Sequence, residues 1–264
     1  MSGERHPVVF VGAGPGDPDL ITVAGRKALE AADLVVYAGS LVSLEMLSWC
    51  RESCERVDSA GLDLEAIIGH LARGWQAGQR VARLHTGDPS LYGAIAEQIA
   101  ALEARGIAWR VIPGVTAAFA AAAHLGLEYT LPELTQTLIL TRAAGRTPVP
   151  SAESLAALAA HGSSLAIYLS AGQAGAVSTA LQAAFGPEAP VALAYRVSWP
   201  DQRLVWTTAR DLPQAFADHG LTRQVLILAG PAVMARAQGR AAPASKLYDA
   251  RFSHGFRAGK DQAD

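Results

Sequence analysis

The chain has 264 residues, 50% of them hydrophobic and 17% charged, with a formal net charge of -2. That length holds one large domain or two small ones around a sizeable core, which excludes a disordered or fibrous chain. The slightly acidic balance argues against a dedicated nucleic-acid binder.

A β-branched run at 8–11 ends in Gly12 and reads as a buried parallel strand. A loop follows at 12–19, then a helix at 20–32 and a second strand at 34–37. Residues 64–76 place Leu64, Ile67, Ile68 and Leu71 on one helical face. A strand at 80–85 runs into TGDP, a helix spans 92–104, and a strand at 109–112 runs into Pro113 and Gly114. This alternation predicts a parallel sheet with crossover helices. A helix of very small residues covers 117–125. The pattern then changes. Strands at 137–141 and 165–169 have a helix between them, strands at 191–196 and 203–207 flank a turn around Pro200, and the last strand is 225–229. The second half therefore reads as a mixed sheet.

The expected organisation is an N-terminal α/β domain over 1–115, a C-terminal α/β domain over 116–236 and a flexible tail over 237–264. Residues 235–264 carry six cations and three anions, a local excess of three positive charges on an acidic chain. The tail reads as a mobile extension, with a partner-binding arm as the other reading.

Cys50 and Cys54 have no second pair to complete a zinc set and read as reduced thiols. The seven histidines form no metal spacing, so no protein-bound metal is expected. No leader opens the sequence, and the longest apolar run, 115–127, is interrupted by His124 and falls short of the ~20 residues a bilayer requires. The expectation is a soluble, cytoplasmic protein with no membrane or nucleic-acid partner.

Three loops could carry chemistry. GAGPGDP at 12–18 sits where a dinucleotide fingerprint would sit, but its spacing is G-x-G-x-G. Its two prolines remove donors that a pyrophosphate needs, and no acid ends the second strand. An NAD-dependent oxidoreductase is thereby disfavoured. TGDPSLYG at 86–93 is the second loop. Gly87 allows close backbone approach, while Asp88 either caps the next helix or accepts from a ligand. PGVTA at 113–117 is the third, with Thr116 as N-cap or ligand contact. All three follow strands of one sheet, so they should open on one crevice at its carboxyl edge. Arg142 and Arg146 follow a strand in a stretch with no acidic residue, where their guanidinium forks could hold carboxylates or simply face solvent. Trp199, Pro200 and Trp206 either pack or close over a flat ligand.

Together GAGPGDP, GDP at 87–89 and PGVTA resemble the tetrapyrrole (corrin and porphyrin) methylases, over about residues 8–231. Finer segments, YAGSLV at 37–42, HTGDP at 85–89, PELTQT at 132–137 and TRAAGRTPVP at 141–150, resemble the branch that methylates precorrin-4 or cobalt-precorrin-4 at ring carbon 11. The resemblance implies a two-domain tetrapyrrole methylase fold, a homodimer, S-adenosylmethionine as methyl donor and an active site in the trough between the domains. It implies cofactor contacts at Pro15, Thr86, Gly87, Asp88, Leu91, Thr116, Ala117 and Leu169, and backbone contacts at Val197 and Ala229. Where other members carry Met-Gly, this chain has Leu169 and Ser170, which keeps an apolar contact without sulfur. It carries nothing for the tail.

The implied reaction is in-line displacement at a sulfonium methyl by an electron-rich ring carbon. Such a reaction asks chiefly for positioning and exclusion of water, which suits loops of Gly, Pro and Thr without a catalytic dyad. No residue is singled out as catalytic. Arg142 and Arg146 are the candidates to pair with substrate carboxylates, with Arg83 and Arg196 behind them, and Tyr92 and His85 are candidates for substrate contact and proton handling. A methylase acting at another ring carbon and a non-catalytic tetrapyrrole-binding scaffold are the alternatives.

Overall fold

The computed structural model describes residues 5–240 and 245–258. The chain divides into two compact units, Met1–Ala121 with Arg196–Gln202, and Ala122–Tyr195 with Arg203–Asp264. The first unit thus runs beyond residue 115 and takes in the link Arg196–Gln202 from the later half of the chain.

In the first unit, β1 (Val8–Gly12), β2 (Leu34–Tyr37), β3 (Glu55–Asp58), β4 (Val81–His85) and β5 (Trp109–Ile112) form a sheet ordered β3-β2-β4-β1-β5. Every pairing is parallel. Side chains alternate between its faces. Val11, Val35, Leu84 and Ile112 pack with Leu29 of α1 (Val23–Ala31) and with Met46 and Leu47. Phe10, Leu34 and Val36 pack on the opposite core, with Ile68 and Leu71 of α2 (Leu64–Gln76) and Leu102 of α3 (Ile95–Glu103). β1 and β4 are neighbours, yet the chain leaves β1 toward β2 and leaves β4 toward β5, on opposite sides. Their carboxyl ends therefore form a switch point, where open α/β sheets bind ligands.

Three local details depart from expectation. The helix expected from 20 begins at Val23, because the Thr22 hydroxyl accepts from Gly25 N at 3.0 Å and caps it, while Pro18–Leu20 is a separate 3-10 turn. The helix expected from 92 begins at Ile95, because Tyr92 (φ 55°) and Ala94 (φ 49°) are left-handed. β3 has no counterpart in the sequence reading; it is a short, largely exposed edge strand whose Glu55, Arg56 and Asp58 hide the signal. Cys50 and Cys54 are free thiols, buried in the α1-side core. The interaction between the two thiols holds Cys50 down to about 7 and, with burial, pushes Cys54 up.

In the second unit, β6 (Leu138–Arg142), β7 (Ser164–Tyr168), β8 (Pro190–Tyr195), β9 (Arg203–Thr208) and β10 (Val225–Ala229) are ordered β6-β7-β10-β8-β9. β6 and β7 are parallel and all other pairings antiparallel, so the sheet is mixed, as the pattern predicted. Its core joins Leu165, Ile167, Leu193 and Ile227 to Leu155 of α5 (Leu155–Ala159), Leu181 of α6 (Ala174–Phe185) and Phe216 of α7 (Leu212–Asp218). α4 (Ala117–Leu125) carries the chain from the first unit into the second, and α8 (Pro231–Ala237) follows β10. The sequence reading places no helix at α6, α7 or α8. Of the expected tail, 241–244 and 259–264 lie outside the described residues; 245–258 contains a 3-10 turn, Lys246–Tyr248.

Candidate active site

The three glycine loops follow β1, β4 and β5, which are adjacent in the sheet, and they are bound to one another. Gly14 N donates to Gly87 O at 3.2 Å and Gly87 N to Gly14 O at 2.7 Å. Both glycines have positive φ, 78° and 60°. Asp88 ties the second loop to the third: Oδ2 accepts from Gly114 N at 2.9 Å and Oδ1 from Ser90 N at 2.8 Å. A Cβ on Gly12 would lie 2.6 Å from Gly114 Cα and 2.8 Å from Gly87 O. The loops cross at a point where only glycine fits, and they face the same edge of the sheet.

The link Arg196–Gln202 closes over the first loop. Asp17 N donates to Ser198 Oγ at 3.0 Å, and Trp199 Nε1 to Pro15 O at 2.9 Å. A side chain at Gly16 would run into the Trp199 indole. The link is held by Arg196, whose guanidinium sits 4.1 Å from the Trp199 ring centroid and meets Asp201 at 2.7 Å. Arg196 (φ 43°) and Ser198 (φ 65°) are left-handed and flank the buried Val197.

The donor inventory decides what the first loop can hold. Ala13 N bonds His85 O, Gly14 N bonds Gly87 O, Asp17 N bonds Ser198 and Asp19 N bonds the Asp17 carboxylate. Pro15 and Pro18 have no N–H. A pyrophosphate needs several convergent backbone donors, and most N–H groups of this loop are already engaged within the protein. The residues fit a ligand with apolar and carbonyl-seeking groups and no phosphate.

The remaining expected residues separate into distinct environments. Thr86 and Leu91 are half-buried in the second loop; Thr116 is buried and Ala117 half-buried at the start of α4. Tyr92 is exposed beside them. Both Asp88 carboxylate oxygens already accept a backbone N–H, so the side chain builds the loop crossing while its backbone lies in the second loop. His85 and Arg83 are buried in β4. Arg83 donates to Gln98 Oε1 and Val36 O, both at 3.2 Å, and burial lowers it to about 10. Gln98 in turn donates to Ala94 O at 3.0 Å, anchoring the left-handed start of α3. Burial, then the charge of Arg83, pushes His85 down to about 3, and its Nε2 is buried without a partner. His85 is thus a neutral ring in the sheet core, and Arg83 is committed inside the sheet, so neither presents an open group to a substrate carboxylate.

In the second unit, Arg142 Nη2 donates to Pro148 O at 2.7 Å and Nη1 to Thr147 O at 3.1 Å, so this guanidinium folds its own loop rather than standing open. Arg146 is exposed on that loop. Leu169 is 68% exposed on a left-handed backbone (φ 52°), a costly conformation for a branched side chain. Ser170, fully buried, donates to Tyr168 O at 2.6 Å and accepts from Ala143 N at 2.8 Å, stitching the ends of β6 and β7. Ala229 is buried at the end of β10. The sequence reading missed the Ser170 stitch and the Gln98 anchor; Ser90, two residues after Asp88, was the readable signal for the Asp88 turn.

Residues 7–213 match the tetrapyrrole (corrin/porphyrin) methylases, and the chain belongs to that family. Among its relatives, the cobalt-precorrin-4 C(11)-methyltransferase of Priestia megaterium is 46% identical over 95% of this chain and 97% of its own. The precorrin-4 C(11)-methyltransferase of Pseudomonas aeruginosa is 46% identical over 96% of this chain and 99% of its own. The solved structure of a cobalt-precorrin-4 methyltransferase superposes with a TM-score of 0.83 at 45% identity, covering 86% of this chain and 95% of that one. The Pseudomonas match spans 253 of 264 residues, so about eleven lie outside it. Even if all of these were at the carboxyl end, the match would reach Ser253, so the segment after α8 is largely shared.

Proposed function

We propose that the chain is an S-adenosylmethionine-dependent C-methyltransferase that methylates precorrin-4, or its cobalt counterpart, at ring carbon 11. The observation that carries this reading is the crossing of three glycine loops, the first with most of its donors already engaged, in a chain 46% identical along nearly its whole length to relatives named for that reaction. A phosphate-free adenosyl sulfonium fits that crossing; a dinucleotide does not.

Pro15, Thr86, Gly87, Asp88, Leu91, Thr116, Ala117 and Val197 are proposed to hold the donor, Asp88 through its backbone. Leu169 is the second unit's candidate for an apolar contact, and Ala229 for a backbone contact. The donor, once bound, supplies a methyl group whose bond to sulfur breaks as the bond to the ring carbon forms. This chain's own residues orient, desolvate and exclude water. The Asp88 clamp fixes the second and third loops, and Trp199 covers the first. Arg146 and Tyr92 remain candidates for substrate contact; Arg142 contributes through the loop it shapes.

The deciding experiment is incubation with precorrin-4 and isotopically labelled donor, read by NMR. Label at C-11 is expected, and label at another ring carbon rejects the assignment. Parallel reactions with and without cobalt in the ring assign the pathway. Calorimetry should show heat with S-adenosylhomocysteine and none with NADH. No helix among the described residues is long and apolar enough to cross a membrane. A cytoplasmic homodimer is part of the proposal. It is supported by α4, an almost wholly apolar helix that leaves Phe119 55% exposed, and is testable by light scattering.

A further inference from the structure

Residues 245–258 form a turn closed around one guanidinium. Arg257 Nη2 donates to Leu247 O at 2.8 Å and Asp249 O at 2.6 Å. His254 and Arg257 exchange backbone bonds of 2.8 and 3.0 Å, and the Ser245 hydroxyl accepts from Leu247 N at 3.2 Å. Asp249 accepts from Arg251 N at 2.9 Å and pairs with its guanidinium at 3.3 Å. With the backbone secured inward, the large apolar side chains point out. Phe256 is 99% exposed, Tyr248 81%, Leu247 49% and Phe252 41%.

A floppy polar extension would carry no such group of rings, and a folded one would normally hide them. The charge points to what they meet. Lys246, Arg251 and Arg257 face a single acid, Asp249, already paired with Arg251, in a chain whose total charge is -2. Exposed rings on a segment that also carries cations complement a large conjugated ring bordered by carboxylates. That is the chemistry of the proposed substrate, and the segment lies largely within the length shared with the C(11)-methyltransferase relatives.

We infer that residues 245–258 are a substrate-binding hook, in which Tyr248, Phe252 and Phe256 lie against the tetrapyrrole ring while Lys246 and Arg251 pair with its carboxylates. This rests on the proposed function. The preformed turn lowers the ordering cost of engagement.

The test uses the full chain and three variants: removal of 245–264, Tyr248→Ser with Phe256→Ser, and Lys246→Glu with Arg251→Glu. The double serine variant changes only exposed groups and keeps the test valid if the truncation folds poorly. KM for precorrin-4 should rise about 10- to 100-fold in each, with kcat within about threefold and KM for the methyl donor unchanged. Unaltered KM for precorrin-4 in the double serine variant overturns the hook. So does a truncation that turns a dimer into a monomer without changing that KM, which would assign the rings to a second copy. If the unmodified chain itself neither binds nor methylates precorrin-4, the functional reading fails and the hook with it. If the unmodified chain works and the variants match it, the hook alone fails.

Discussion

The carboxyl ends of the two sheets are built on opposite logics. In the first unit, the loops after β1, β4 and β5 are locked by the absence of side chains. Gly12 and Gly114 leave no room for a Cβ, Gly87 takes a left-handed turn, and Asp88 accepts from Gly114 N. In the second unit, the ends of β6 and β7 are locked by side chains: the Ser170 hydroxyl joins the strands, and the Arg142 guanidinium shapes the loop. The first arrangement tolerates no added atom, the second no lost one. A ligand meeting the first finds bare main chain; a ligand meeting the second finds Leu169 held outward.

Substitutions should separate these logics. The largest effect is expected from Gly12→Ala, whose Cβ would meet backbone on both neighbouring loops. A loss of about 3 kcal/mol or more in denaturant unfolding is expected, together with loss of the calorimetric signal for S-adenosylhomocysteine. Asp88→Ala should cost about 2–3 kcal/mol, because two backbone donors lose a charged acceptor, and should weaken cofactor binding. An equal loss from Asp88→Asn, whose amide NH2 cannot accept, would show that the clamp requires both carboxylate oxygens.

A pH series probes the sheet beneath the loops. His85 sits well below the ordinary histidine value of 6.5, at about 3, so the unfolded chain takes up a proton first as pH falls. Stability should therefore drop from about pH 6.5 downward, by at most ~1.4 kcal/mol per pH unit and ~2 kcal/mol by pH 5. His85→Phe should remove that component of the slope; an unchanged slope would contradict the neutral assignment. In the second unit, Ser170→Ala should cost about 1–2 kcal/mol by leaving Ala143 N buried and unpaired. Leu169→Gly should be smallest in stability, neutral or favourable by up to ~1 kcal/mol, because glycine accepts the left-handed backbone. It should nonetheless weaken cofactor binding. Unaltered cofactor affinity would remove Leu169 from the site.

Much of the first unit was legible because its periodicities are clean. β2, α2 and β5 coincide with the pattern from end to end, and the loop crossing follows from three Gly/Pro loops after strands of one sheet. What hid was set by tertiary contacts. The start of α3 depends on Gln98 reaching back to Ala94 and across to Arg83, a bond no local spacing announces. Arg142 read as a carboxylate fork because the stretch lacks acids, yet its acceptors are main-chain carbonyls, which sequence does not display. Ser170 looked like half of a replaced Met-Gly pair; its hydroxyl became a rivet only once β6 lay beside β7. His85 looked available at a strand end and proved to belong to the interior.

The engaged donors of the first loop have a corollary for the proposed cofactor. Nucleotides such as ATP and NADH share an adenosine with a sulfonium donor but add a phosphate chain that needs convergent backbone N–H groups. With the Ala13, Gly14 and Asp17 N–H groups engaged and prolines at 15 and 18, the loop would give such a chain little to grip. The same knot of backbone that would seat the proposed donor would thus also discriminate against its phosphorylated look-alikes.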